Sequence, residues 1–318
     1  MRSLKPISSL IGLMSMVLTT YAQSDLNIHP DLVKHLDPKL APFYHGVASG
    51  DPTQNSVIIW TKLTLSRFEN DAIVDFEVCL DSLFQDIEKS GTAETNGDKD
   101  FTVKVDIGEL KPGTKYYYRF KYEDKVSIVG QTQTLPSDPN KFNIAFASCS
   151  NYEWGYFTNY KLISWNPNID LVVHLGDYIY EYAPNGYGDT TIGRVNVPAR
   201  EITTLEDYRT RYSLYRLDKD LMRLHQMKPT ITTWDVHEIA NNGYTDGAQN
   251  HQANEGAWNQ RKVNGKQCYY EWMPVRDNSY HELYRSFKLG NLLELIILFH
   301  SLPPFESLYG INKPITIP

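Results

Sequence analysis

The stretch Asp170-Leu171-Val172-Val173-His174-Leu175-Gly176-Asp177-Tyr178-Ile179-Tyr180-Glu181 decides how the second half of this chain is read. A short, mostly apolar run closed by a glycine predicts a buried strand over 170–175. Two carboxylates and two phenols follow it at once. Similar runs stand on either side. Residues 142–147 predict a strand running into Ser148-Cys149. Residues 230–234 predict another, running into Asp235-Val236-His237-Glu238, with Asn241-Asn242 just beyond. Helical spacing separates the strands over 156–165, 205–215 and 255–263. The middle helix has Thr203 or Thr204 as its cap and Glu206 and Asp207 in its first turn. Residues 291–298 predict a fourth strand. Strands alternating with helices mark an α/β layered domain, and in such sheets ligands gather at the carboxyl ends of the strands.

Upstream, between residues 43 and 135, no helical period interrupts a series of short β-forming runs at 56–60, 73–80, 101–107, 115–122 and 128–134. Pro112-Gly113 makes a tight turn into the aromatic run, proline presetting the backbone and glycine freeing it. A β-sandwich over 40–137 is the natural reading. It holds no cluster of His, Cys or carboxylates, so its expected role is packing or spacing. Pro136-Ser137-Asp138-Pro139-Asn140 reads as a linker to the layered domain, 141–298.

The first residues predict a cleaved leader over 1–22. Arg2 and Lys5 give a positive start, residues 7–18 an apolar stretch too short to span a bilayer comfortably, and Thr20-Tyr21-Ala22 a small-residue cleavage site. The mature chain is then expected outside the cytoplasm, secreted, periplasmic or at the cell surface, with no membrane attachment. A net charge of −7 argues against nucleic acid as a stable partner. It does not exclude a small phosphate ester, because a bound metal reverses the local field. The three cysteines are an odd number, so at least one thiol stays free, pairs with another chain or binds metal. Nothing in the sequence specifies an oligomer.

At the predicted strand ends a thiol, several carboxylates, a phenol, an imidazole and amides converge on one rim, as in a metal site. A carboxylate such as Asp177 can bridge two cations that clamp the attacking and leaving oxygens of a phosphoryl transfer. Cys149 and Tyr180 would suit ferric iron, carboxylate and amide oxygens calcium, and His237 could protonate a leaving oxygen. Each residue also has a plainer reading: Cys149 as a small buried hydrophobe, Gly176-Asp177 as a turn, Asn241 and Asn242 as turn formers, His237 as a hydrogen-bonded polar residue. Nucleophilic attack by Cys149 or Ser148 with His237 as base is a third possibility, weakened because no Gly-x-Ser-x-Gly turn surrounds Ser148.

Several strings resemble the alkaline phosphatase D family: Phe43 through Pro52, Ser56 to Lys62, Ser148-Cys149-Ser150-Asn151, His174 through Tyr182, Thr204 through Arg216, Thr233 through Asn242, Tyr269 through Arg276, and Leu283 through Leu298. The resemblance implies an immunoglobulin- or fibronectin III-like sandwich followed by a calcineurin-like metallophosphatase domain of four-layer αββα type. It implies a secreted phosphomonoesterase and phosphodiesterase that uses iron and calcium on small phosphate esters. Cys149, Asp177 and Tyr180 would be metal ligands, with Asn241 or Asn242 a further one, and His237 the catalytic histidine. Two departures stand out. Where the family places two aspartates before the histidine this chain has Asp235 and Val236, and valine cannot ligate the second metal. Similarity also fades after Leu298, so 299–318 reads as a divergent tail and the metallophosphatase domain as incomplete, the expected trace of a frameshift or premature stop. Impaired turnover is the expectation, and a catalytically dead chain acting through its sandwich as a binding module is the alternative.

Overall fold

The computed structural model describes residues 25–277 and 283–298. The expected leader and divergent tail lie outside the described residues. The strands and helices, in chain order, are β1 (Val47–Gly50), β2 (Val57–Lys62), β3 (Asp71–Cys79), β4 (Ile87–Asn96), β5 (Thr102–Ile107), β6 (Lys115–Tyr122), β7 (Lys125–Val126), β8 (Gly130–Gln133), β9 (Ile144–Ala147), α1 (Thr158–Trp165), β10 (Leu171–His174), α2 (Leu205–Arg216), α3 (Lys219–Met227), β11 (Pro229–Thr232), β12 (Gly243–Tyr244), β13 (Gly247–Ala248), α4 (Trp258–Trp272), β14 (Arg285–Leu289) and β15 (Leu293–Ile297).

Strands β3 and β6 show why the first region is β. In β3, Ala72, Val74, Phe76 and Val78 alternate with exposed or half-buried residues, and in β6 Tyr116, Tyr118 and Phe120 do the same. A two-residue period sends each apolar set to one face. Phe76 pairs with Phe120 and Val78 with Tyr118. The sheet β4-β3-β6-β7, with β8 on β6, turns this face toward β1, β2 and β5, and apolar residues of both sheets share one core.

The β1–β2–β5 strands also extend the α/β sheet. One six-stranded sheet runs β5-β2-β1-β11-β10-β9, with β1, β11, β10 and β9 mutually parallel. Its helical face buries Tyr160, Val172, Tyr178, Tyr212, Leu221 and Trp272 in the largest core. On the opposite face Leu171, Val173 and Ile231 meet Phe287, Leu289 and Ile297 of the β14–β15 hairpin. A bidentate ion pair ties that hairpin down: Arg285 donates from Nη2 to Asp51 Oδ1 at 2.8 Å and from Nε to Oδ2 at 3.0 Å. Phe146, on the same face as Ile144, is 57% exposed.

Several expectations change. The strand at 291–298 forms, but it pairs only with β14 and does not join the central sheet. The strand at 230–234 ends at Thr232, so Trp234 belongs to the turn after it. The helix at 255–263 starts at Trp258 and continues to Trp272, burying Cys268, Tyr269 and Tyr270 against the core. Helix α3 carries no expectation; Asp218 caps it by accepting from the N–H of Asp220 and Leu221. Strands β1 and β4 were also missed. β1 is short and rich in small residues, and β4 is a largely exposed polar edge with little alternation to read. Among the described residues no helix is long and apolar enough to cross a membrane.

Candidate metal centre

Parallel strands β9, β10 and β11 end on one rim, and their next residues build the site. Cys149 and Asp177 both adopt left-handed backbone, with φ of 57° and 53°, after a glycine with φ of 107° at position 176. A Cβ on Gly176 would lie 2.4 Å from the Asp235 backbone nitrogen, so only glycine lets the β10 and β11 loops approach this closely. Such strained backbone persists where the surroundings fix it. Here Cys149 N–H donates to Gly176 O and Ser150 N–H to Asp177 O. The buried Glu238 carboxyl joins the two loops, accepting from Tyr178 N–H at 2.7 Å and Asp235 N–H at 2.9 Å. Burial, with the Asp177 charge added, pushes it up to about 8.

Two donors meet at one oxygen. The Cys149 thiol lies 3.5 Å from Asp177 Oδ2 and the Tyr180 hydroxyl 3.4 Å from the same atom, while Asp177 Oδ1 accepts from His237 N–H at 3.2 Å. Cys149 is exposed and, like the buried Cys79 and Cys268, forms no disulfide. The reading of Cys149 as a small buried hydrophobe therefore gives way. Arg211, fully buried, fixes the phenol's position by donating to Tyr180 O and, at 3.0 Å, to Val197 O.

His237 stacks on Tyr180 at 4.2 Å between ring centroids, and its Nδ1 lies 2.7 Å from Glu181 Oε2. The other Glu181 oxygen accepts from Asn241 N–H at 2.7 Å and Asn250 Nδ2 at 2.8 Å. Burial opposes the Glu181 carboxylate, but these hydrogen bonds outweigh it and its pKa falls; burial likewise opposes the His237 cation, and Glu181 outweighs that and raises it. Burial holds the Asp177 carboxyl above its ordinary range against the opposing pull of His237, and burial, then the Asp177 charge, holds the Tyr180 phenol above its own.

Cys149, Asp177, Tyr180 and His237 thus come together. Asn241 reaches the group only through Glu181, and its side-chain amide donates to Gln249 Oε1 at 2.5 Å. Asn242 is exposed in a left-handed turn and makes no hydrogen bond to Cys149, Asp177, Tyr180 or His237. Glu181 and Asn250 are the residues that sequence reasoning did not assign. Glu181 stands four positions after Asp177, and that carboxylate spacing was the available signal; Asn250 had none.

The donor set fits a cation. A thiol, a carboxylate and a phenol crowd one point and cannot all ionise beside one another, and a cation among them would reverse that. Among the described residues, however, no group of three or more His, Cys, Asp or Glu is placed to hold a metal. The third donor here is a phenol, and the donors number three.

Parallel strands β9, β10 and β11, with thiol, acid and imidazole just beyond their carboxyl ends, make an α/β fold whose candidate site lies at the strand ends. Residues 144–299 match the PhoD-like phosphatase family and residues 31–136 the PhoD-like phosphatase N-terminal domain. The chain belongs to the PhoD-like phosphatase family. It is 40% identical over 271 residues to alkaline phosphatase D of Bacillus subtilis (strain 168), covering 81% of this chain and 46% of that protein. A solved structure described as PhoD superposes with a TM-score of 0.74 at 38% identity, covering 81% of this chain and 52% of that one. The chain therefore spans about half the length of the relatives it matches.

Proposed function

We propose that this chain carries the phosphoester-hydrolase centre of its family, with Cys149, Asp177 and Tyr180 as ligands of an iron ion and His237 as the acid. The supporting observation is the meeting of Cys149 Sγ and the Tyr180 hydroxyl at Asp177 Oδ2, with the imidazole stacked beside them. The metal, when bound, supplies Lewis-acid stabilisation of the phosphoryl oxygens. Glu181 holds Nδ1 and so sets the His237 orientation, and Nε2 is the nitrogen that would hand a proton to the departing alkoxide. The substrate class is a small phosphate mono- or diester, met outside the cytoplasm by a chain freed of residues 1–22.

The second cation position, assigned to calcium, is the weaker one. Val236 offers no side-chain oxygen, Asn241 reaches the group only through its N–H on Glu181, and Asn242 is exposed. Loss of one oxygen ligand removes transition-state charge stabilisation, so turnover is expected to be impaired. This short donor set also favours a second reading, a catalytically dead chain that acts through its sandwich.

The deciding experiment measures metal content and turnover of bis-p-nitrophenyl phosphate on the purified chain, with and without chelator. Bound metal with chelator-sensitive turnover supports the hydrolase. A metal-free, inert protein would leave only the second reading. Turnover that survives chelation but disappears in Cys149→Ala would instead mean thiol catalysis.

A further inference from the structure

The last residue of α2, Arg216, is fully buried, yet none of its Nε, Nη1 and Nη2 atoms has a hydrogen-bond partner. Its guanidinium lies 4.3 Å from the Trp60 ring centroid, between the strands of the sandwich and the helical face of the central sheet. The groups around it are neutral. The phenol of Tyr178 stands beside it and shares a hydrogen bond with His225 Nε2 at 2.8 Å. His45 uses Nε2 on Ser213 Oγ at 2.7 Å. Burial, reinforced by nearby cations that include Arg216, holds both histidines well below their ordinary range. Their Nδ1 atoms also lack partners, and the Tyr118 hydroxyl, beside Arg216, has the Ser49 hydroxyl as its neighbour.

Buried polar groups in folded proteins are nearly always satisfied, and a local concentration of orphans points to a bound water or ion. Charge separates the two. A guanidinium carries five N–H donors and does not lose its proton in a protein, and among the described residues no carboxylate pairs with this one. The C-terminus of α2 offers it partial negative charge, about half an elementary unit at most, but no acceptor reaches its N–H groups. Water would satisfy hydrogen bonds and leave the charge uncompensated, which is the costly part.

We propose that Arg216, with Tyr118 and the Nδ1 atoms of His45 and His225, holds a buried monatomic anion of the halide class, chloride in ordinary buffers, at the seam between the sandwich and the layered region. The ion supplies the missing counter-charge and clamps the two regions together. It takes no part in the chemistry at Asp177.

The test uses the full chain. Long-wavelength anomalous diffraction should show one chlorine peak within hydrogen-bond distance of Arg216. Thermal unfolding at constant ionic strength should show Tm several degrees higher in sodium chloride than in sodium gluconate, because a ligand of the native state alone stabilises it by mass action. Arg216→Met should abolish that difference. If this variant fails to fold, the two wild-type readouts decide. Density without an anomalous signal, together with a Tm indifferent to chloride, would mean ordered water and overturn the proposal.

Discussion

Nδ1 of His237 lies 2.7 Å from Oε2 of Glu181, and both side chains are buried. The remaining Glu181 oxygen is occupied by Asn241 N–H and Asn250 Nδ2, so the carboxylate is held from both ends and transmits its orientation to the imidazole.

Removing the imidazole and removing its holder should differ in size. His237→Ala is expected to reduce phosphodiester turnover by roughly 10²–10⁴, the usual worth of a positioned acid. Glu181→Gln keeps a hydrogen-bonding side chain and should cost about 10–100-fold, as outer partners of site residues do. Steady-state kinetics on well-folded variants check this. A Glu181→Gln loss as large as that of His237→Ala would show that Glu181 does more than orient.

Metal binding separates the donors from the acid. Cys149→Ala and Tyr180→Phe should each lower the iron content of the purified protein, whereas His237→Ala should leave it nearly unchanged, as read by elemental analysis. Val236→Asp is expected to raise the content of a second cation, because it restores an oxygen next to His237 in the turn that already touches Asp177 through His237 N–H. Unchanged stoichiometry in Val236→Asp would place the second-cation deficit elsewhere than at Val236.

The rim was legible in sequence because chemistry followed directly on apolar strands: Cys149, Asp177 and His237 each stand within five residues after a strand end. Alternation made β3 and β6 readable. The joining of β1, β2 and β5 to the parallel strands was not, since parallel pairing of β1 with β11 links Ser49 to Pro229 across the whole sandwich and leaves no local pattern. Asn242 stood as the alternative to Asn241 through the family resemblance alone, and it is exposed in a left-handed turn. Glu181 went unassigned because its partners, at positions 237, 241 and 250, come from distant segments.

The Asp51–Arg285 pair should behave as a buried lock on the β14–β15 hairpin. Asp51 also accepts from Arg276 N–H at 2.8 Å, so both of its oxygens are committed. Asp51→Ala leaves a largely buried guanidinium without its carboxylate, a loss of about 3–5 kcal/mol by the usual cost of breaking one side of such a pair. Denaturant unfolding gives the magnitude. Hydrogen exchange should show the change concentrated at residues 285–297, and a uniform loss of protection would mean that the pair supports the whole sheet.

Helix α2 offers a test that involves neither metal nor substrate. Thr204 accepts from Asp207 N–H at 3.2 Å and Asp207 Oδ2 accepts from Thr204 N–H at 3.1 Å, a reciprocal capping box. Burial opposes ionisation of Asp207, but the N–H groups of Thr204 and Thr203, the Thr204 side chain and Arg200 outweigh it and lower its pKa. A carboxyl whose pKa is depressed on folding contributes stability above its unfolded value, about 3.9 for Asp, and loses it as pH falls through the folded value. Thr204→Ala should therefore cost about 1 kcal/mol at neutral pH. Asp207→Asn should destabilise the chain at neutral pH, begin to converge with the wild type only as the pH falls below about 4, and match it once the pH is below the depressed folded value. Tm measured from pH 7 down to pH 3 checks both, and an Asp207→Asn penalty that persists undiminished at the acid end would assign the stabilisation to side-chain shape and not to charge.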